Sequence, residues 1–185
     1  GCKTGSIYGQ VDDNLKGYHC LAVVGVPGED KWLVGAIRKA SDDTSRWTQL
    51  KIAFDNAVAK LADPQATVTE VTAEGAAVCL MPPYNPASYQ QYNLPLLYEK
   101  NANMPGHTAS VMKVMTAIVL LDHIKDLDRK IEIQSEDITP GSGPVFLEGD
   151  VLTLRDALHC LLLPSSNTCA HAIARVVGNK IRNTR

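Results

Sequence analysis

Residues 107–117 read HTASVMKVMTA, and this stretch decides how the rest of the chain is interpreted. From residue 108 onward, apolar residues recur at three- and four-residue steps, which predicts an amphipathic helix of roughly four turns. Ser110 and Lys113 are spaced by three, so they share one face of that helix. A serine hydroxyl must lose its proton before it attacks a carbonyl, and a lysine in an apolar site can act as the base. The pair is therefore a candidate nucleophile and base, although an isolated SxxK is more often a polar helix start beside a surface lysine.

Two further polar clusters supply partners for this pair. Ser165-Ser166-Asn167 follows an apolar helix that Pro164 terminates, and a loop there can aim a hydroxyl and a carboxamide into a cleft. The alternative is that Ser166 or Asn167 only caps the next helix. Lys3-Thr4-Gly5 opens the chain on a predicted strand and means little alone. An SxxK motif on a helix, an SxN motif in a loop and a KTG motif on a strand are together typical of serine β-lactamases and penicillin-binding proteins.

The remaining pattern predicts an α/β fold of the α+β type. Residues 6–12, 18–27 and 31–39 are apolar and β-branched segments separated by turn formers, which predicts an antiparallel meander. Residues 45–61 carry the apolar periodicity of a long helix. AAVCLMPP and LPLLYEK, joined by YNPASYQQYN, predict two more strands. We expect both sets of strands in one antiparallel sheet that is flanked by helices.

The later part of the chain reads as mainly helical. Thr153 begins one helix with a capping-box pattern, and Gly178 is expected to end the last one. We expect a single domain over residues 1–185, in which residues 1–100 form the sheet and the long helix. Residues 101–185 then form a reduced helical lobe.

The chain resembles the D-alanyl-D-alanine carboxypeptidases of the penicillin-binding-protein superfamily. LPLLYEKNANMPGHTASVMKVMTAIVLL is similar to their strand-to-nucleophile segment, and ITPGSGPVFLEGDVLTLRDALHCLLLPSSNTCAHAIA is similar to the run through their SxN motif. GCKTGSIYG and YHCLAVVGV are similar to their KTG strand and the strand after it. The resemblance covers most of the chain and implies a penicillin-binding-protein-like transpeptidase fold.

The order of the motifs departs from that family, in which KTG comes last. Here KTG comes first, and the mostly helical region that the family has between SxN and KTG finds no counterpart in the chain. One explanation is circular permutation, with DPQATVTEVTAEG joining the long helix to the family's first strand. The other is a larger protein whose remaining segment is missing or belongs to another chain. The sequence leaves both explanations open.

The resemblance implies a catalytic role for four residues. Ser110 is the nucleophile that forms an acyl-enzyme with the penultimate D-alanine of a peptidoglycan stem peptide, and Lys113 is its general base. Ser165 passes the proton toward the leaving amine. The backbone N–H groups of Ser110 and Ser6 form the oxyanion hole.

The resemblance also implies how the substrate is bound. Asn167 binds the amide of the peptide, while Lys3 and Thr4 attract the terminal carboxylate. Gly5 has no side chain, so the substrate backbone can lie alongside the strand. β-Lactams are the expected inhibitors, and neither a cofactor nor a metal is required.

Composition excludes several other classes of function. The 185 residues carry a net charge of −2 without a run of like charges, so nucleic-acid binding has no electrostatic footprint. No apolar stretch reaches the ~18 residues of a membrane span. Because the chain begins with Gly1 rather than Met, a processed or engineered form is expected. Together with the resemblance, this predicts an extracytoplasmic protein whose signal peptide is not in this chain.

None of the five cysteines is paired as CxxC, and because most lie among apolar neighbours they are expected to be small buried hydrophobes. A rival interpretation is a zinc module formed by His159, Cys160, Cys169 and His171, which requires two helices to converge.

Two other functions stay open at this point. A β-lactamase or esterase could use the same fold, although no glutamate lies in a recognisable loop after SxN to activate the water that class A enzymes use. The protein could also be a non-catalytic module that binds penicillin or peptidoglycan.

Overall fold

The structure is a computed structural model that describes residues 1–8, 12–26, 28–83 and 94–184. The chain forms two compact units, Gly1–Val111 and Met112–Arg185, and each unit has its own hydrophobic core. The predicted division after residue 100 thus falls inside the first unit.

The first unit is built on a five-stranded antiparallel sheet in the order β1-β2-β3-β4-β5. Its strands are β1 (Cys2–Ile7), β2 (Gly17–Gly25), β3 (Trp32–Ala40), β4 (Gly75–Met81) and β5 (Leu96–Lys100). β3 pairs with β4, with Ala36 opposite Ala77, which confirms that both predicted sets of strands share one sheet. β1 starts and ends earlier than predicted and contains the KTG motif. Residues 9–11 of the predicted first strand and the connection 84–93 lie outside the described residues.

Helix α1 (Asp43–Ala62) covers the first unit's core. Its start is fixed by a capping box, in which Asp42 Oδ1 accepts from Ser45 N at 2.7 Å and Ser45 Oγ accepts from Asp42 N at 2.9 Å. The apolar face of α1 packs on the sheet through small side chains such as Ala53 and Ala57, which are fully buried. Small residues let the helix approach the sheet closely, and the Arg46 side chain from its first turn reaches β1.

The second unit packs three helices around its core. These are α2 (Lys113–His123), α3 (Leu154–Leu162) and α4 (Asn167–Asn183), accompanied by a hairpin of β6 (Lys130–Glu132) and β7 (Val151–Thr153). Thr153 caps α3 as predicted, because its Oγ1 accepts from Asp156 N at 3.0 Å. The prediction that Gly178 ends the last helix is wrong. α4 continues because Ile181, one turn further on, still packs against the core.

A buried ion pair ties α4 to the short 3-10 helix Ser135–Asp137. Arg175 Nε donates to Asp137 Oδ1 at 2.9 Å, and Arg175 Nη2 donates to Asp137 Oδ2 at 2.6 Å. Burial acts to raise the pKa of the Asp137 carboxyl, but the hydrogen bonds from the Arg175 guanidinium and from Gln134 N outweigh it and hold that pKa below its usual range. The pair therefore stays charged inside the unit.

In the described part of the chain, no helix combines the length and apolar character needed to cross a bilayer.

Candidate active site

Ser110 lies in a strained turn rather than in the first turn of an α-helix. It belongs to the 3-10 helix Ala109–Met112, and the α-helix itself begins at Lys113. Val111 N donates to Thr108 O at 3.2 Å and closes the turn. Within it, Ala109 has φ = +48°, a left-handed conformation that costs energy for any residue with a Cβ. Sequence periodicity missed this change, because residues three apart lie on the same side in a 3-10 turn and also nearly so in an α-helix.

The KTG strand lies directly against this turn. A Cβ atom at Gly5 would lie 2.7 Å from Ser110 N, 2.9 Å from Thr108 O and 3.0 Å from Val111 N. Such distances are shorter than non-bonded heavy atoms tolerate, so the approach is possible only because residue 5 is glycine. The structure thus brings Lys3-Thr4-Gly5 and Ser110 together, although a whole sheet and a long helix separate them in the sequence.

Among the described strands, β1 lies at the edge of the sheet. Its pairing partner is β2, with Gly5 opposite His19, and it ends the strand order of the sheet. An edge strand presents backbone N–H and C=O groups to an added chain. Lys3 is 9% exposed, and its Nζ donates to Thr4 O at 2.9 Å. Burial, and then the charge of Arg46, lower the pKa of Lys3.

In the second unit, the predicted base and the predicted amide-binding residue are in direct contact. Lys113 Nζ donates to Asn167 Oδ1 at 2.7 Å, and Lys113 is only 7% exposed. The sequence could not foresee this contact from spacing, since it depends on how α2 packs against α4. The structure therefore joins Lys113 and Asn167 within one unit.

The loop 139–143 holds Asn167 in place. Asn167 Nδ2 donates to Pro140 O at 3.2 Å, and Asn167 N donates to Ser142 O at 3.2 Å. Gly141 has φ = +133°, and a Cβ there would collide with Asn167 Nδ2. Sequence reasoning missed the role of this loop, although its two glycines between two prolines were a usable signal.

The two serines of the SxN motif do different things. Ser166 is fully buried and caps α4, because its Oγ accepts from Cys169 N at 3.1 Å. Of the two capping candidates, Ser166 and Asn167, the helix cap is therefore Ser166. Ser165 is half-buried in a left-handed conformation with φ = +65° just before the helix. Such strained positions cluster where side chains must point in a special direction.

The predicted zinc module finds no support in the described residues, where no group of three or more metal-ligating side chains converges. His159 is exposed, and His171 Nδ1 instead contacts Thr139 Oγ1 at 3.4 Å. All five cysteines are free thiols. Cys20 and Cys169 are buried as expected, and burial raises the pKa of each to about 11, whereas Cys2 is exposed, contrary to the expectation.

Comparison with known proteins identifies the family. Residues 92–185, half of the chain, match the model of the β-lactamase enzyme family. The chain belongs to this family, whose serine enzymes form one superfamily with the penicillin-binding proteins. The match contains the SxxK and SxN motifs, whereas the KTG strand precedes it. Placement of the KTG strand beside Ser110 therefore rests on the structure.

A curated relative gives a narrower comparison. The D-alanyl-D-alanine carboxypeptidase of Streptomyces sp. (strain K15) is 36% identical over 89 residues, which are 45% of this chain and 31% of that protein. The chain thus matches about a third of the length of this relative. No solved structure matches the chain.

Proposed function

We propose that this protein is a serine D,D-carboxypeptidase that removes the terminal D-alanine of peptidoglycan stem peptides through an acyl-enzyme on Ser110. The observation that carries the proposal is the close approach of Gly5 to Ser110 N. It puts the strand that bears Lys3 and Thr4 against the peptide group of the nucleophile. The carboxypeptidase among the relatives supports the choice of substrate.

The chemistry follows from the groups that the motifs supply. Lys113 takes the proton of the Ser110 hydroxyl, and Oγ attacks the carbonyl carbon of the penultimate D-alanine. The oxyanion that forms is stabilised by the N–H groups of Ser110 and Ser6. When the C–N bond breaks, Ser165 passes a proton to the leaving amine, and free D-alanine departs. Water then hydrolyses the ester and regenerates Ser110.

Binding uses the edge of the sheet. The peptide adds along β1 through backbone hydrogen bonds, and its terminal carboxylate is drawn by the Lys3 ammonium and the Thr4 hydroxyl. Asn167 has two roles in this proposal. Its Oδ1 accepts from Lys113 Nζ, which fixes the base, and the same residue binds the substrate amide. Because the substrate is part of the cell wall, we propose an extracytoplasmic location.

The test is release of D-alanine from an N-acylated peptide that ends in D-Ala-D-Ala, with the L-Ala-L-Ala peptide as the substrate control. Wild type should release one D-alanine per peptide, and the Ser110→Ala variant should release none. Release that persists in Ser110→Ala would contradict the assignment of the nucleophile.

A β-lactamase is the second candidate, and the family match favours it. Nitrocefin separates the two functions. A β-lactamase hydrolyses many equivalents, whereas the proposed carboxypeptidase gives a single burst of about one equivalent followed by slow turnover. Binding of penicillin without any burst or D-alanine release would indicate a non-catalytic module.

A further inference from the structure

Arg46, in the first turn of α1, reaches the backbone of the KTG strand. Its Nη1 donates to Ser6 Oγ at 2.9 Å and to Gly5 O at 3.4 Å. The residue is only 7% exposed, so these hydrogen bonds form largely out of water. A charged donor makes each of them stronger than a neutral one would be.

The guanidinium is held from several sides. Its Nη2 forms an ion pair with Asp43, one turn away on the same helix. Its central carbon lies 5.6 Å from the ring centroid of Tyr18 and 5.7 Å from that of Trp47, within the range of cation–π attraction. The position of Arg46 is therefore set independently of β1, and it can impose geometry on that strand.

This arrangement is costly for the fold. Arg46 Nε is buried and has no hydrogen-bond partner among the described residues. Arg46 also places a second positive charge near the buried ammonium of Lys3, which contributes to lowering the pKa of Lys3. If the role of this residue were only structural, an apolar side chain of similar size would stabilise the fold as well or better.

The geometry of a peptide group shows what the contact achieves. In a trans peptide the C=O and the N–H point in opposite directions within one plane. The Gly5 carbonyl that Arg46 holds belongs to the same peptide group as the Ser6 N–H. Fixing the carbonyl therefore fixes the direction of the N–H. A hydrogen bond accepted by the carbonyl also polarises the group, and the N–H becomes a better donor.

We propose that Arg46 is a positioning residue for the oxyanion hole, which orients and polarises the Gly5–Ser6 peptide so that its N–H donates to the developing oxyanion. The inference rests on the proposed function in one respect, the role of the Ser6 N–H. Arg46 does not touch the reacting atoms. It acts from the opposite side of the peptide, through the carbonyl.

Two variants and a matched control test this inference. Arg46→Met keeps the length and apolar stem of the side chain but removes the donors and the charge. Arg46→Lys keeps the charge, but its single ammonium cannot pair with Asp43 and also reach Ser6 Oγ and Gly5 O, as the two Nη atoms of the guanidinium do. Asp43→Asn removes the charge of the ion-pair partner but keeps a side-chain oxygen that can accept from Arg46 Nη2, so the contacts with β1 should stay in place. Circular dichroism and thermal melting establish that each variant is folded.

The first readout needs no ligand. In the ligand-free protein, the amide ¹⁵N and ¹H resonances of Ser6 should move upfield in Arg46→Met, because the peptide loses its polarising partner. They should move less in Arg46→Lys and stay unchanged in Asp43→Asn. If Arg46→Met does not fold, the Arg46→Lys variant decides the question by the same shift. Unchanged Ser6 resonances in folded Arg46→Met, or in Arg46→Lys where Arg46→Met does not fold, overturn the proposal, whatever the enzyme does with substrate.

The second readout is made on the acyl-enzyme. The ester carbonyl stretch of the β-lactam adduct, measured by infrared spectroscopy, reports how strongly the oxyanion hole donates. In Arg46→Met this band should move to higher wavenumber, and acylation should slow about tenfold, part of the 10²–10³ lost when a whole donor is removed. A purely structural Arg46 would lower stability and leave the band in place. If wild type forms no adduct, the proposed function fails, while the Ser6 resonances still decide the role of Arg46.

Discussion

The two units hold their motif residues by different means. In Gly1–Val111 the decisive contact joins backbone to backbone, since Gly5 approaches Ser110 N through the absence of a side chain. In Met112–Arg185 it joins side chain to side chain, through Lys113 Nζ and Asn167 Oδ1. Substitutions that add atoms should therefore impair the motif residues of the first unit, whereas substitutions that remove a functional group should impair those of the second.

The largest effect is expected in the second unit, at Lys113. Lys113→Met removes the amine and keeps the length of the side chain, so acylation by a β-lactam should fall about 10³-fold, within the range for a lost general base. Stopped-flow measurement of the acylation rate checks this. Lys51→Met, at an exposed lysine of α1, is the matched control and should acylate like wild type. A normal acylation rate in a folded Lys113→Met protein would require another base.

The second unit should also depend on its buried ion pair. Arg175→Met strands the Asp137 carboxylate, which is 1% exposed, so the free energy of unfolding should drop by about 3 kcal/mol. Because the folded-state pKa of Asp137 is depressed, the pair stabilises at neutral pH, and this contribution is lost as pH falls through that pKa.

Urea unfolding at several pH values measures this difference. Arg155→Met, which breaks an exposed ion pair with Asp128, is the control and should lower the free energy of unfolding much less than Arg175→Met does. Equal losses in the two variants would mean that the buried pair has no special role.

In the first unit, a single added carbon should have a large effect on rate. Gly5→Ala places a Cβ 2.7 Å from Ser110 N, so the strand and the turn must separate, and a displacement near 1 Å can slow acylation about 10²-fold. Gly25→Ala in β2 is the matched control, because its Cβ would meet the Trp32 ring at 3.6 Å, an ordinary van der Waals distance. Unimpaired acylation in Gly5→Ala would show that the close approach is not needed.

The smallest effect concerns the charge of Lys3. Burial and then Arg46 lower the pKa of Lys3, so its ammonium is lost at a lower pH than that of an ordinary lysine. kcat/KM for a peptide with a free terminal carboxylate should therefore decline by up to about tenfold on the alkaline side. Arg46→Met should move this decline to higher pH. A substrate amidated at its C-terminus should show no alkaline decline of kcat/KM. An identical decline for both substrates would contradict a role of Lys3 in binding the carboxylate.

Much of the fold could be predicted from local pattern. The run of apolar and β-branched residues in YHCLAVVGV predicts β2, and the periodicity of 45–61 predicts α1, because each element buries apolar side chains against a neighbour. The end of α4 could not be predicted, since the core contact of Ile181 outweighs the intrinsic tendency of Gly178 to stop a helix. Tertiary packing decided that boundary.

The site was predictable as residue types and not as geometry. SxxK, SxN and KTG identify the side chains of the site, but the sequence does not reveal which residues near these motifs adopt a strained backbone conformation. The left-handed conformations of Ala109 and Ser165 carry no signal in residue type, because neither is a glycine or an asparagine. The contact of Arg46 with β1 was missed for a related reason. An arginine on a helix carries no special sequence signal, and only the structure shows that its side chain reaches Gly5 and Ser6.

The most direct test of the central claim is the mass of the protein after mixing with a β-lactam. A β-lactam carries a strained amide and a carboxylate that imitate the D-Ala-D-Ala terminus. Intact-mass measurement should show one adduct per chain that decays slowly, peptide mapping should place it on Ser110, and Ser110→Ala should give none. No adduct with any β-lactam, or an adduct that persists in Ser110→Ala, would contradict the account.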